Sequence, residues 1–300
     1  MRVLRRGKAL APANGLRLVR ESSERGGGCR GGALICRRGE IGVAVDTRTD
    51  RRPCRRRHVV LGDNCAMVFP LYDDNPFGRA KPPYVTWGLI IINVAVFLVE
   101  IRSSDANASA LLASLGATPA LVAHQLPATG GLPPELTLVS YMFLHGGWEH
   151  IIGNMVYLWV FGDDIEDALG PLRFIAFYLL TGIASAIFFT LLNVKSTTPL
   201  IGASGAISGI LAAYLLLRPC AKVSVFVLRV IVRVRAYWVI GGWVLLQLYQ
   251  IASHANDGVA YVAHGGGLIA GALLFILMRP AGVRLLECTE QPTRESAMAG

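Results

Sequence analysis

Charged side chains are scarce in this 300-residue chain: Asp, Glu, Lys and Arg make up 16% of it, against 53% hydrophobic residues and a mean hydropathy of +0.48. A soluble domain carries about 25% charged residues, so the composition is that of a polytopic membrane protein. No two of the six cysteines (Cys29, Cys36, Cys54, Cys65, Cys220 and Cys288) stand at C-x-x-C spacing, which argues against a zinc or redox site. A disulfide framework is not expected either in so large a membrane chain. Coiled-coil heptads are missing. The first 66 residues hold no apolar run of signal-peptide length, and their six acidic residues argue against an Arg-rich organellar transit peptide.

What positive charge there is sits at one end. Residues 1–66 carry 16 Lys/Arg and 6 Asp/Glu, a balance of +10, which leaves 13 Lys/Arg and 14 Asp/Glu for residues 67–300, a balance of −1. The basic stretch is Gly-rich and aromatic-poor, so nucleic-acid binding is not expected of it. It is read as a disordered or non-native extension, with Met67 as the expected natural start. Residues 67–83 then form a cytoplasmic lead-in, 84–280 the membrane domain, and 281–300 a cytoplasmic tail.

A hydrocarbon core needs about 20 apolar residues per spanning helix. Six segments qualify: 84–101, 148–165, 173–192, 200–217, 236–252 and 259–278. The expected fold is therefore all-α, a six-helix polytopic bundle. Ten Lys/Arg flank the spans on the N-terminal side, and only Arg102 and Lys195 fall on the other, so the positive-inside rule puts both termini in the cytoplasm. The external loop 102–147 is apolar enough to lie in the interface. Residues 223–235, V-S-V-F-V-L-R-V-I-V-R-V-R, alternate charge with β-branched residues and read as an interfacial segment without a catalytic role.

Two polar residues stand inside apolar runs, Ser204 in L-I-G-A-S-G-A-I-S-G and His264 in V-A-H-G-G-G-L-I-A-G. An ionisable group in a spanning helix faces the bundle interior and is a functional candidate by default. The second, fourth and sixth spans all enter from outside. Ser204 lies five positions past Pro199 and His264 five positions past Val259, about 7 Å deep at 1.5 Å per residue. His150 and Asn154 occupy the same end of the second span, four apart and so on one face. Gly267 and Gly271 follow His264 on its own face, a small-residue surface that lets a partner helix approach closely. Gly205 and Gly209 give the fourth span a second small face, turned toward another neighbour.

The chemistry of this set is nucleophilic. His264 as base takes the Ser204 proton, and the alkoxide attacks a carbonyl. The Ser204 N–H at a helix N-terminus, His150 and Asn154 are candidate donors to the oxyanion, and Gly202 is assigned to the same oxyanion and substrate-binding group. No carboxylate lies at that level of the spans, so a dyad is expected, without an acidic third member.

Three ordered motifs, H-G-G-W-E-H-I-I-G-N with the D-D-I-E-D-A-L-G that follows, G-A-S-G-A-I-S-G and A-H-G-G-G-L-I-A-G, closely resemble those of the rhomboid intramembrane serine proteases, over roughly residues 67–280. The resemblance implies a six-helix core, a Ser204–His264 dyad, an oxyanion site lined by His150 and Asn154, a structural role for His145, and Glu166 in a structural G-x-x-x-E turn. It implies an intramembrane serine endopeptidase that needs no metal or cofactor. Its partners would be the lipid bilayer and membrane proteins with a spanning segment, in a bacterial inner membrane. Many rhomboids carry a Trp-Arg pair in the first external loop; here only Trp148 at its border and an isolated Arg102 stand in that region. The rival readings are a catalytically silent rhomboid-like protein that binds membrane clients, which the intact Ser204 and His264 disfavour, and a transporter, which would call for inverted repeats.

Overall fold

The computed structural model describes residues 69–73, 82–127, 131–227, 230–253 and 259–288, all within one compact unit, residues 57–300. The basic segment 1–66 and Met67 lie outside them. Helices follow the apolar segments: α1 (Tyr84–Glu100), α5 (Trp148–Leu169), α6 (Pro171–Leu192), α7 (Ser204–Leu217), α8 (Ala236–Ala252) and α9 (Tyr261–Met278). Among the described residues, α6 and α9 are long and apolar enough to cross a membrane, while α1 and α7 are shorter apolar helices. The loop between α1 and α5 folds into α2 (Asp105–Leu115), α3 (Pro119–Val122), α4 (Pro134–Ser140) and a 3-10 turn over Tyr141–Phe143.

The all-α expectation is corrected by a sheet. Strands β1 (Phe69–Asp73), β2 (Lys222–Val227) and β3 (Val230–Arg235) form an antiparallel sheet in the order β1-β2-β3. The alternating segment read as merely interfacial is the β2–β3 hairpin, with Lys222 opposite Arg235 and Val225 opposite Val232. Period-two alternation of β-branched residues suits a pleated ribbon with one covered face. Val223 and Val225 are buried on that face and Val234 packs against it.

The helix α7 is the centre of the bundle. From Gly205 to Tyr214 every residue is buried, as expected of a helix apolar on all sides. Its glycines let two neighbours in. Cβ atoms added at Gly205 and Gly209 would strike Ser185 and Thr181 of α6, and ones added at Gly267 and Gly271 of α9 would strike the backbones of Gly205 and Gly209. The glycine face of α9 thus lies on α7, and that of α7 is shared between α9 and α6.

Polar side chains pin the end of the bundle that carries the sheet. The Glu166 carboxylate accepts from the N–H groups of Val85 (3.0 Å) and Thr86 (2.8 Å) and from the Thr86 hydroxyl (2.8 Å). It therefore caps the start of α1, whose first N–H groups have no intrahelical acceptor. Gly162, one turn earlier, leaves the room for Thr86 to approach. Asp164 pairs with Arg218 at 2.9 Å, and the Tyr214 hydroxyl donates to Asp73 at 2.6 Å, tying β1 to α7. These ties explain why α5 runs on to Leu169, past the segment expected from hydropathy: Asp163, Asp164 and Glu166 are buried there, and Asp164 and Glu166 are bonded to Arg218 and to the start of α1.

Cys220 and Cys288 form a disulfide, which the sequence reading did not expect. They are 68 residues apart, but residues 279–288 fold back onto the end of α7. There Leu286 N–H donates to the Leu216 carbonyl (2.7 Å) and Glu287 N–H to that of Leu217 (3.2 Å).

A Gly271→Val substitution should separate α7 from α9 and destabilise the protein by about 1–3 kcal/mol or more, the usual cost of overpacking a core. A thermal midpoint equal to the parent's would show that the two helices do not depend on this contact.

Candidate functional site

Residues 199–203 are not helical, contrary to the expected start of the fourth span at 200. Leu200 forms an antiparallel bridge with Ala117, and Gly202 N–H donates to the Tyr141 carbonyl at 2.9 Å. Gly202 has a φ of +112°, a conformation that glycine alone adopts readily. Ser204 is therefore the first residue of α7, not a residue five positions down a helix. An extended strap carries it to its depth, held by the loop between α1 and α5. Tyr141 anchors this arrangement a second time through its hydroxyl, which donates to the Gly182 carbonyl of α6 (2.7 Å). Burial pushes that phenol well above its ordinary value of 10, so it remains a donor.

The Ser204 hydroxyl lies 2.8 Å from His264 Nε2. On the other side of the ring, Nδ1 lies 2.8 Å from Gln247 Oε1 of α8. An amide oxygen only accepts, so Nδ1 carries the proton and Nε2 presents its lone pair to the serine. The ring is buried and flanked by Trp243, with centroids 5.8 Å apart, and by Tyr261 at 6.3 Å. Three helices thus converge on one imidazole.

The donors on α5 complete the site. His150 sits in the first turn, and its Nδ1 accepts from Gly146 N–H at 3.4 Å. That leaves Nε2 as the protonated nitrogen, and a Cβ at Gly202 would stand 2.5 Å from it. The absence of a side chain at 202 is what gives the imidazole its place. Asn154 is buried, and its Nδ2 makes no hydrogen bond within the protein; an unused buried donor carries a desolvation cost of about 1–3 kcal/mol. Ser204 N–H, as the first of α7, has no intrahelical acceptor. His150, Asn154, Ser204 and His264 line one cavity of about 1050 Å³, walled by Gly153 and Tyr157 on α5 and by Trp243 on α8. The arrangement offers a hydroxyl facing a base and three N–H donors aimed into shared space, which is what acyl transfer requires.

His145 is buried with its ring 5.1 Å from that of His150, and its N–H donates to the Glu100 carboxylate at 3.2 Å. Burial, with a smaller contribution from His150, pushes its imidazole down to about 4. The site thus unites Ser204, His264, His150, Asn154 and Gly202. Gln247, Tyr141 and Glu100 escaped the sequence reading. Gln247 left a signal: it is a polar residue within the apolar run W-V-L-L-Q-L-Y, on a helix to which no role was assigned. Tyr141 acts through its backbone and Glu100 on a backbone N–H, and neither leaves a pattern.

Comparison with known proteins gives a match of residues 134–281 to the rhomboid domain family. The mitochondrial rhomboid protein 1 of Saccharomyces cerevisiae is 31% identical over 149 residues, covering 46% of this chain and 40% of the yeast protein. The rhomboid protease AarA of Providencia stuartii is 27% identical over 208 residues, 64% of this chain and 71% of that protein. The rhomboid protease GluP of Bacillus subtilis is 31% identical over 139 residues, 46% of this chain and 25% of GluP. The chain thus matches less than half the length of the yeast and Bacillus proteins.

The depressed His145 value has a stability consequence. Unfolded, the imidazole takes up a proton as pH falls below its ordinary value of 6.5; folded, it does so only near 4. Between those values the unfolded state binds more protons, so stability falls as pH falls. Replacing His145 by Asn should remove this share of the slope of unfolding free energy against pH. An unchanged slope between pH 6.5 and 4 would contradict it.

Proposed function

We propose that this chain, which belongs to the rhomboid family, is a serine endopeptidase that cleaves spanning segments of membrane proteins within the bilayer. The observation that carries this reading is the 2.8 Å contact between Ser204 Oγ and His264 Nε2, with the other ring nitrogen committed to Gln247. In the proposed reaction His264 accepts the hydroxyl proton as Ser204 Oγ bonds to the scissile carbonyl carbon. The tetrahedral oxyanion is held by His150 Nε2–H, Asn154 Nδ2–H and the Ser204 N–H. Collapse breaks the C–N bond, and the leaving amine takes the proton from His264. Water, deprotonated by the same imidazole, then hydrolyses the acyl-enzyme ester and restores Ser204.

We read α1, α5, α6, α7, α8 and α9 as six spanning helices with both termini on the cytoplasmic face. The distribution of Lys and Arg supports this orientation. The sheet and the Asp164–Arg218 pair would then lie at the cytoplasmic end, and the catalytic cavity near the outer surface. Asn154 lines the same cavity as Ser204 and has an amide donor unused within the protein, so it can bond an oxyanion formed there, which supports catalysis over a silent client-binding role.

Purified protein should be labelled at Ser204 by a fluorophosphonate and should cleave a single-span substrate, and Ser204→Ala should lose both properties. Loss of one oxyanion donor typically costs about 10²–10³ in rate. His150→Ala should reach that range, because it also removes the acceptor of the Gly146 N–H and the ring that packs at Gly202; Asn154→Ala leaves those contacts in place and should fall short of it. Cleavage by Ser204→Ala at the parent rate would sink the serine mechanism; parent rates in both donor variants would remove α5 from the oxyanion site.

A further inference from the structure

A serine and a histidine suffice for the reading above, and neither explains why α8 buries an amide. The buried residues of α8 are Ala236, Ile240 and Gln247, a single stripe facing the bundle. A buried amide is costly unless bonded, and Gln247 Oε1 is bonded to His264 Nδ1 at 2.8 Å. We infer that Gln247 is the third member of the site, a neutral positioning residue that holds His264 in the one tautomer able to accept the Ser204 proton. The inference rests on the serine-protease reading.

The imidazole has two ring nitrogens and one proton when neutral. With the proton on Nε2 the ring would donate toward Ser204 and could not act as its base. Gln247 selects the other tautomer and also fixes the rotation of the ring, since Nδ1–H must point at an oxygen carried by a separate helix. When the imidazole gains the serine proton, the carbonyl end of the amide dipole faces the new charge. A carboxylate in this place would stabilise the imidazolium more, but it would bring its own charge out of water, and that desolvation is costly. The groups facing His264 are Ser204 from α7, Trp243 and Gln247 from α8, Tyr261 from its own helix, and His150 across the cavity. The carboxylate among the residues lining the cavity is Glu149, in the first turn of α5; the two ring nitrogens of His264 are bonded to Ser204 and Gln247, so Gln247 is the acceptor that orients the ring.

The test uses the full chain with two variants. Gln247→Met keeps side-chain length and apolar contact but removes the acceptor. Its kcat should fall about 10–100-fold, the range seen when a group orienting a functional histidine is lost, with KM within about twofold because the lost interaction does not involve substrate. Gln247→Glu should restore much of the turnover. It should also move the acid limb of the kcat/KM profile upward by about one pH unit or more, since an adjacent carboxylate favours the imidazolium. Nitrogen NMR of the histidine ring adds a readout independent of catalysis: Nδ1–H in the parent and in Gln247→Glu, a mixture of tautomers in Gln247→Met. The inference is overturned if Gln247→Met keeps the parent kcat, or if the parent ring does not carry its proton on Nδ1. If Gln247→Met does not fold, an acid limb in Gln247→Glu that stays at the parent position overturns it. Failure of the serine reading would look different: a parent protein that neither cleaves nor takes the fluorophosphonate, while the tautomer measurement still decides the role of Gln247.

Discussion

The close approach of α7 and α9 is the constraint from which the site follows. Gly267 and Gly271 lie against the backbones of Gly205 and Gly209, with no space for a Cβ on either side. In a membrane bundle, lipid is as apolar as a leucine, so helix association depends on packing and interhelical hydrogen bonds and less on the hydrophobic effect. Glycine faces maximise the packing by bringing backbones together. At the end of this seam nearest the cavity, the short interaxial distance places an imidazole on one helix within 2.8 Å of a hydroxyl on the next. A wider separation would leave both groups intact and out of reach of each other.

Polar groups are distributed along the bundle according to what they must do. At one end, Glu166, Asp164 and Arg218 are committed to helix caps, ion pairs and the sheet, with distances of 2.8–3.0 Å. These contacts fix helix ends. At the other end, Asn154 is held by its neighbours with its amide donor unused, His150 keeps one nitrogen toward Gly202, and Ser204 begins a helix.

The strap 199–203 links the loop between α1 and α5 to this chemistry. It is paired to Ala117, and its Gly202 is bonded to the Tyr141 carbonyl, so the segment between α2 and α3 and the 3-10 turn together hold the serine's approach. Gly202 meets two demands at once: a positive φ that turns the chain into α7, and an empty Cβ position where His150 stands. This is why an apolar loop, unremarked by charge or motif, belongs to the functional architecture.

Apolar run length, the Lys/Arg asymmetry and the rarity of polar residues inside those runs were enough to mark the helical segments and to single out Ser204, His264, His150 and Asn154. These are local or one-dimensional properties, because a side chain that lipid would reject must find a use inside the bundle. The glycine spacing on α9 likewise announced a close contact, since small residues four apart share one helix face. Three things depended on tertiary structure. The strap ahead of Ser204 is extended because it pairs with residue 117, a partner that no window around 204 contains. Strands β2 and β3 become sheet because β1 pairs with the free edge of β2 and the core covers one face, whereas alternation alone is equally consistent with an interfacial segment. Gln247 acquires a partner only when α8 docks against α9, because its identity as a hydrogen-bond acceptor is written in its side chain but the nitrogen it meets is decided by how the helices pack.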